Sequence, residues 1–217
     1  MPIDRRSGTP TGLLGGSFNP AHGGHRAVSL SAIRALGLDE LWWLVSPGNP
    51  LKAGATDMAP LSARLASARR MARRAPIRPS AIEARLGTRY TVDTIAKLIR
   101  RYPDRRFIWL MGSDNLEQFH RWRQWRRIAR MVPIAVIARP GYGRLSHAVR
   151  AMGWLRHFVR PVGQSREWTG WRPPALVLLR FRPDPRSATQ ARLANPHWHL
   201  TFNPTSRGEP ASPRTAS

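Results

Sequence analysis

Short apolar runs recur along this chain with helical patterns between them, and that alternation restricts the fold more than any other feature. "TGLLGG" (11–16), "ELWWLVS" (40–46), "RRFIWLMG" (105–112), "VPIAVIARPG" (132–141) and "ALVLLRF" (175–181) have the length and composition of buried strands. Between the first two, "GGHRAVSLSAIRALG" places Val28, Ala32 and Leu36 on one stripe and closes on Gly37, the pattern of a helix and its C-cap. "LSARLASARRMARRA" begins a basic amphipathic helix after Pro60, and "TVDTIAKLIRRY" another that ends before Pro103. "IRPSAIEARLG" carries strand-like material, a Trp-rich helical stretch follows residue 112, and "RLSHAVRAMGWLRHFV" (144–159) reads as a helix. Strands separated by helices imply an α/β fold, a Rossmann-like doubly wound parallel sheet. No internal repeat is visible. The expected organisation is a flexible arm at 1–10, a single domain at 11–202, and a disordered tail at 203–217 that ends in "NPTSRGEPASPRTAS".

Composition narrows the setting. Hydrophobic residues make up 41% of the chain, enough for a core, and no apolar run approaches the length that spans a bilayer. The start "MPIDRRSGTPTG" lacks the apolar segment of a secretory signal, and there is no cysteine for a disulfide or a thiolate metal site. A cytoplasmic address is expected. The formal charge is +24, and only Lys52 and Lys97 are lysines, so nearly all the cations are arginine. The arginines are spread along the chain rather than blocked. That suits a coding bias together with a small phosphate-bearing substrate better than a nucleic-acid partner.

The turn after the first strand, "GGSFNPAHGGH" (15–25), is where chemistry concentrates. In doubly wound sheets ligands gather beyond the carboxyl ends of the strands. Gly15 and Gly16 would let backbone amides approach a phosphate or base, and a helix starting near Gly23 would aim its free N–H groups at an anion. His22 and His25, three residues apart, fall on one face of its first turn. Neither the spacing of a dinucleotide fingerprint nor that of a Walker A loop is present, and no H-E-x-x-H zinc pattern occurs.

This turn resembles the G-x-F-x-P-x-H-x-G-H motif of nucleotidyltransferases related to class I tRNA synthetases. With "GNPLK" (48–52), "YTVDT" (90–94), "GSDNLEQFHRW" (112–122), "ARPGY" (138–142) and "SATQAR" (187–192), in that order, the chain resembles the bacterial nicotinate-nucleotide adenylyltransferases. The resemblance implies a sheet of the nucleotidyltransferase type. It also implies adenylyl transfer from ATP to nicotinate mononucleotide, giving nicotinate adenine dinucleotide and pyrophosphate in NAD biosynthesis.

By the same resemblance Gly15, Gly16, Ser17, Phe18, His22, Gly24 and His25 meet ATP, with His25, His22 and Arg192 carrying the catalysis. Ser187, Thr189 and Arg192 would hold the β- and γ-phosphates, and Gly112 and Asp114 would reach the adenosine. Read from the residues alone, Ser187 is a helix cap, and Asp114 competes for the same kind of role. Asn49, Lys52 and Arg139 would receive the acceptor mononucleotide and its phosphate. Tyr90 and Thr91 with nearby amides would take its carboxylate, and Trp122 would stack on the pyridine ring, leaving Trp125 to the core. Mg²⁺ is expected with ATP, held by the triphosphate rather than by a protein cage.

Alternatives are a related adenylyltransferase acting on nicotinamide mononucleotide or phosphopantetheine and, more remotely, a basic RNA-binding protein. No motif speaks to oligomeric state, so a homo-oligomer stays open. His197 and His199 in "NPHWHL" suit a terminal segment docked on the domain.

Overall fold

A computed structural model describes residues 8–48, 58–138, 149–181 and 187–202. Among these residues seven parallel strands form one sheet. In chain order these are β1 (Thr9–Gly16), β2 (Glu40–Val45), β3 (Ile77–Ser80), β4 (Arg105–Gly112), β5 (Ile134–Ala138), β6 (Val159–Arg160) and β7 (Leu176–Arg180). Their spatial order is β3-β2-β1-β4-β5-β7-β6. The chain winds outward from β1 to β2 and β3, then returns to lay β4 on the other side of β1, pairing Leu14 with both Trp43 and Leu110. The loops after β1 and β4 therefore part at the middle of the sheet, which is the switch point where such folds bind ligands.

The apolar runs form these strands because both faces of the sheet are covered. All six residues of β2 are buried, as expected for a parallel interior strand with helices above and below. One face packs on Leu13, Trp42, Ile95, Leu98, Trp109 and Met111, and the other on Trp43, Leu36, Leu41, Ile108, Leu110 and Val177. Gly12 sits between neighbours on the second face. A Cβ there would lie 2.7 Å from Leu38 Cδ1, so the glycine admits that side chain against the strand.

The helices are α1 (Gly23–Leu36), α2 (Leu61–Ala72), α3 (Ile82–Leu86), α4 (Thr91–Arg101), α5 (Ser113–Phe119), α6 (Trp125–Met131), α7 (Met152–Leu155) and α8 (Ala188–Ala194). α1 ends on Gly37 in the left-handed conformation at φ 62°, as its sequence indicates. Ala32 and Leu36 on its stripe are fully buried, while Val28 packs at the edge of the core.

Two expectations are corrected. β1 takes in Thr9 and Pro10, which their composition assigns to the arm, because Thr9 N donates to Asp104 O and Pro10 O accepts from Asp39 N, both at 3.0 Å. The long helix at 144–159 is not formed over its described part. One helical turn with Met152 and Leu155 buried leads through a 3-10 turn into β6, where Val159 pairs with Leu176. The tail at 203–217 lies outside the described residues. Before it, a 3-10 segment (Trp198–Phe202) packs against α2 with Trp198 buried and His197 exposed, as expected of a docking segment.

Candidate active site

The turn after β1 is built around two histidines that cap the helix they begin. His22 is the N-cap of α1 in an extended conformation, and its Nδ1 accepts from Gly24 N at 3.1 Å. His25 sits at the third helical position, and its Nδ1 accepts from His22 N at 3.3 Å. This is a capping box made from two imidazoles, where Ser and Glu are the usual pair. Because Nδ1 accepts in both rings, the neutral imidazoles carry their proton on Nε2. The ring centroids are 3.9 Å apart. Two N–H donors are thus fixed side by side at the positive end of a helix of 14 residues, an arrangement that suits phosphate oxygens.

Phe18 supports this pair from below. It adopts φ 48°, is 1% exposed, stacks on Trp43 at 4.9 Å and lies 4.8 Å from the His25 ring. Its ring therefore packs under the turn, and the residue as a whole is enclosed. Trp43 Nε1 donates to Ser29 Oγ at 2.8 Å, and Ser29 Oγ donates to His25 O at 2.7 Å, which ties α1 to β2. Gly15 has a steric reason as well as the expected one. A Cβ on it would stand 2.9 Å from Cη2 of Trp109, so the glycine makes room for that indole.

Arg192 is brought to this turn from the far end of the chain. It lies on α8, and its Nη1 donates to Asn19 O at 2.8 Å across a sequence separation of 173. Asn19 is itself buried, and its Oδ1 accepts from Ala59 N at 3.2 Å. Ser187 caps α8 with its Oγ accepting from Gln190 N at 3.2 Å, the role its residue type alone suggests, while Thr189 is exposed on the first turn. Gly112 is the N-cap of α5, so Asp114 lies within the first turn rather than at the cap, where its charge favours the helix dipole.

On the other side of β1, aromatic rings lead away from Gly15. Trp109 meets Trp122 edge-on at 6.1 Å, and Trp122 in turn packs on Phe119 at 5.4 Å. Trp109 Nε1 is buried without a hydrogen-bond partner among the described residues. Trp125 also packs on Phe119 and meets Trp154 edge-on at 5.4 Å, so both tryptophans lie half-buried against the same core. Arg123 lies 4.7 Å over the Tyr90 ring, joining the loop that holds Trp122 to the start of α4. No side chain caps α4, so the amides of Thr91 and Val92 precede its first internal bond. Asn49, Lys52 and Arg139 lie outside the described residues.

Two residues near this site were not singled out by their sequence context. Arg64 on α2 is 1% exposed and ends among backbone carbonyls of the loops after β1 and β2. Its burial lowers its pKa from the usual arginine value. Glu83 on α3 is buried with the Thr94 hydroxyl 3.4 Å from Oε1. Burial raises its carboxyl to about 7, opposed by hydrogen bonds from Ser46 and Thr94.

A model of the cytidylyltransferase-like family matches residues 13–194. An Erythrobacter litoralis protein named "Probable nicotinate-nucleotide adenylyltransferase" is 62% identical over 188 residues, taking in 87% of this chain and 85% of its own length. A protein of the same name from Parvibaculum lavamentivorans is 60% identical over 188 residues, 85% of this chain and 92% of its own. Among solved structures, Plasmodium falciparum nicotinic acid mononucleotide adenylyltransferase complexed with NaAD is similar at a TM-score of 0.63 and 15% identity. That likeness covers 85% of this chain and 83% of that one, and it is one of fold. Motif order, sheet topology and close relatives agree: the chain belongs to the nicotinate-nucleotide adenylyltransferases, within the cytidylyltransferase-like family.

Proposed function

We infer that this enzyme joins ATP to nicotinate mononucleotide, forming nicotinate adenine dinucleotide and releasing pyrophosphate. The observation that carries the reading is the pair of Nε2–H donors on the first turn of α1, with Arg192 anchored to the same turn. A 5′-phosphate oxygen of the acceptor forms the new bond to the α-phosphorus of ATP as the bond to the β-phosphate oxygen breaks. That nucleophile is already an anion, so the enzyme needs no general base. It must bring two polyanions together and stabilise charge passing to pyrophosphate. His22 and His25 are assigned to the triphosphate, with His25 the closer to the transition state, and Arg192 to the β- and γ-phosphates.

Gly15, Gly16, Ser17 and Gly24 would line the nucleotide side with Gly112, Asp114, Ser187 and Thr189, with Phe18 enclosed behind them as support. Tyr90, Thr91, Trp122, Asn49, Lys52 and Arg139 are assigned to the acceptor. The open amides at the start of α4 suit a carboxylate better than an uncharged carboxamide, which favours the acid as acceptor. Mg²⁺ would arrive on the triphosphate. Among the described residues no three His, Asp or Glu side chains are grouped to cage a cation. No helix among them is long and apolar enough to cross a membrane, and a cytoplasmic address is part of the proposal.

Pyrophosphate release from ATP and Mg²⁺, with nicotinate mononucleotide compared against nicotinamide mononucleotide, tests the reading. A strong preference for the acid supports it. Turnover with neither acceptor would overturn it.

A further inference from the structure

Arg64 occupies a position that the chemistry above does not use. Its side chain leaves the first turn of α2, folds back toward the helix start, and is almost wholly enclosed. Nε donates to Ala59 O at 2.8 Å. Nη1 donates to Ser17 O at 2.8 Å and to Ser46 O at 2.7 Å, and Nη2 reaches Pro47 O at 3.4 Å. Among the described residues no carboxylate pairs with it, since the ion pairs found there centre on Glu40. A buried cation satisfied only by carbonyls is costly, and the fan of a guanidinium is what lets one side chain reach several at once.

The carbonyls it holds belong to two different loops. Ser17 follows β1 in the turn assigned to ATP. Ser46 and Pro47 follow β2 and lead toward Asn49 and Lys52, assigned to the acceptor. In a trans peptide the N–H of the next residue points opposite to the carbonyl. Among the described residues the cis peptides lie elsewhere, at Asn19–Pro20 and Pro173–Pro174. Ser17 O is drawn inward onto the guanidinium beside the enclosed Phe18, and drawing Pro47 O inward turns the Gly48 N–H outward, where Gly48 is exposed. A further bond, Ser46 N to Gly16 O at 3.0 Å, keeps the two loops side by side.

We propose that Arg64 is a positioning residue that holds the two substrate loops in register, fixing the turn after β1 through Ser17 O and turning the Gly48 amide after β2 toward the acceptor's phosphate. This rests on the assignment of the two loops to the two substrates. Because one guanidinium serves both loops, ordering one pre-orders the other, so each substrate tightens the binding of its partner by the same factor.

The test begins with wild-type turnover, which decides the assignment of substrates by itself. Arg64→Lys and Arg64→Met are then compared with Glu40→Gln, which loosens the opposite end of the sheet and is chosen for a similar loss of melting temperature. The expected result is folded Arg64 variants with kcat about tenfold lower and both KM values about tenfold higher. The tightening of acceptor binding by a non-hydrolysable ATP analogue should be lost in them and kept in Glu40→Gln. Folded Arg64 variants with kcat, both KM values and the coupling within about twofold of wild type would overturn the proposal.

If neither variant folds, amide exchange on the wild-type protein decides. Adding the ATP analogue alone should protect Phe18, Gly48 and Ala59 together. Protection confined to the turn after β1 would sink the idea, and this arm holds even if wild-type turnover with the acceptor fails.

Discussion

Arg192 holds the carbonyl of Asn19 from 2.8 Å, closing the loop after β1 with a residue near the end of the described chain. The bond ties the guanidinium to the turn that leads into His22 and α1. If the proposed assignment of Arg192 to the β- and γ-phosphates holds, Arg192→Ala should lower kcat/KM for ATP by about a hundredfold or more, the usual cost of removing one such donor. Arg192→Lys should recover only part of this, because an ammonium cannot hold Asn19 and a phosphate oxygen in one fixed fork. Steady-state kinetics with ATP varied checks both.

The imidazole capping box separates two roles of His25. His25→Ala should lose about 1 kcal/mol of stability with the cap. It should also lose about two to three orders of magnitude in kcat with the Nε2 donor. His25→Asn places a side-chain oxygen near the Nδ1 position, so it should restore the melting temperature and leave the rate low. Recovery of rate with His25→Asn would mean that the ring acts only as a cap.

Gly15 and Trp109 should behave as a coupled pair. Gly15→Ala puts a methyl 2.9 Å from Cη2 of the indole and should cost about 1–3 kcal/mol in urea unfolding. Trp109 also touches Trp122, so the displaced ring should raise the KM of the acceptor more than that of ATP. Adding Trp109→Phe should return part of the stability, giving a non-additive double-mutant cycle.

Glu83 should make stability depend on pH in an unusual direction. Its carboxyl titrates near 4.5 in an unfolded chain and at about 7 in the folded one, chiefly because burial disfavours the charge. Between those values the folded state binds more protons, so this contribution is full below about pH 4.5. It falls away as pH rises to 7 and beyond, for a loss on the order of 3 kcal/mol. Glu83→Gln should remove the slope, and its advantage over wild type should grow from pH 5 to pH 8 in urea titrations.

What could be read in the sequence was what is local. The β1 turn, the strands and the cap at Gly37 each depend on residues a few positions apart, and their spacing survives folding unchanged. The capping role of His22 was hidden because Ser, Thr, Asp and Asn are the usual caps, so a histidine there reads only as a ligand. Arg64 was hidden by its company. In "LSARLASARRMARRA" it is one of several arginines on a basic helix, and only the convergence of two distant loops on it shows its burial. β6 is two exposed residues long, too short for any period to mark it, and its pairing with β7 is what ends the helix expected before it. Asp114 fell one turn position inside the helix because Gly112 already leaves β4 in an extended conformation.

The docking of Trp198 against α2 also sets an order of assembly on the ribosome. The strands from β1 to β5 can pair while the chain is still being made, and α2 can settle on β2 and β3, but the face of α2 that meets the Trp198 segment stays open until residue 198 has emerged. The turn after β1 likewise waits for residue 192. A nascent chain therefore has the strands of its sheet before it has the bond that ties Arg192 to Asn19, so a product cut short of residue 192 should fold in outline while leaving that turn unanchored.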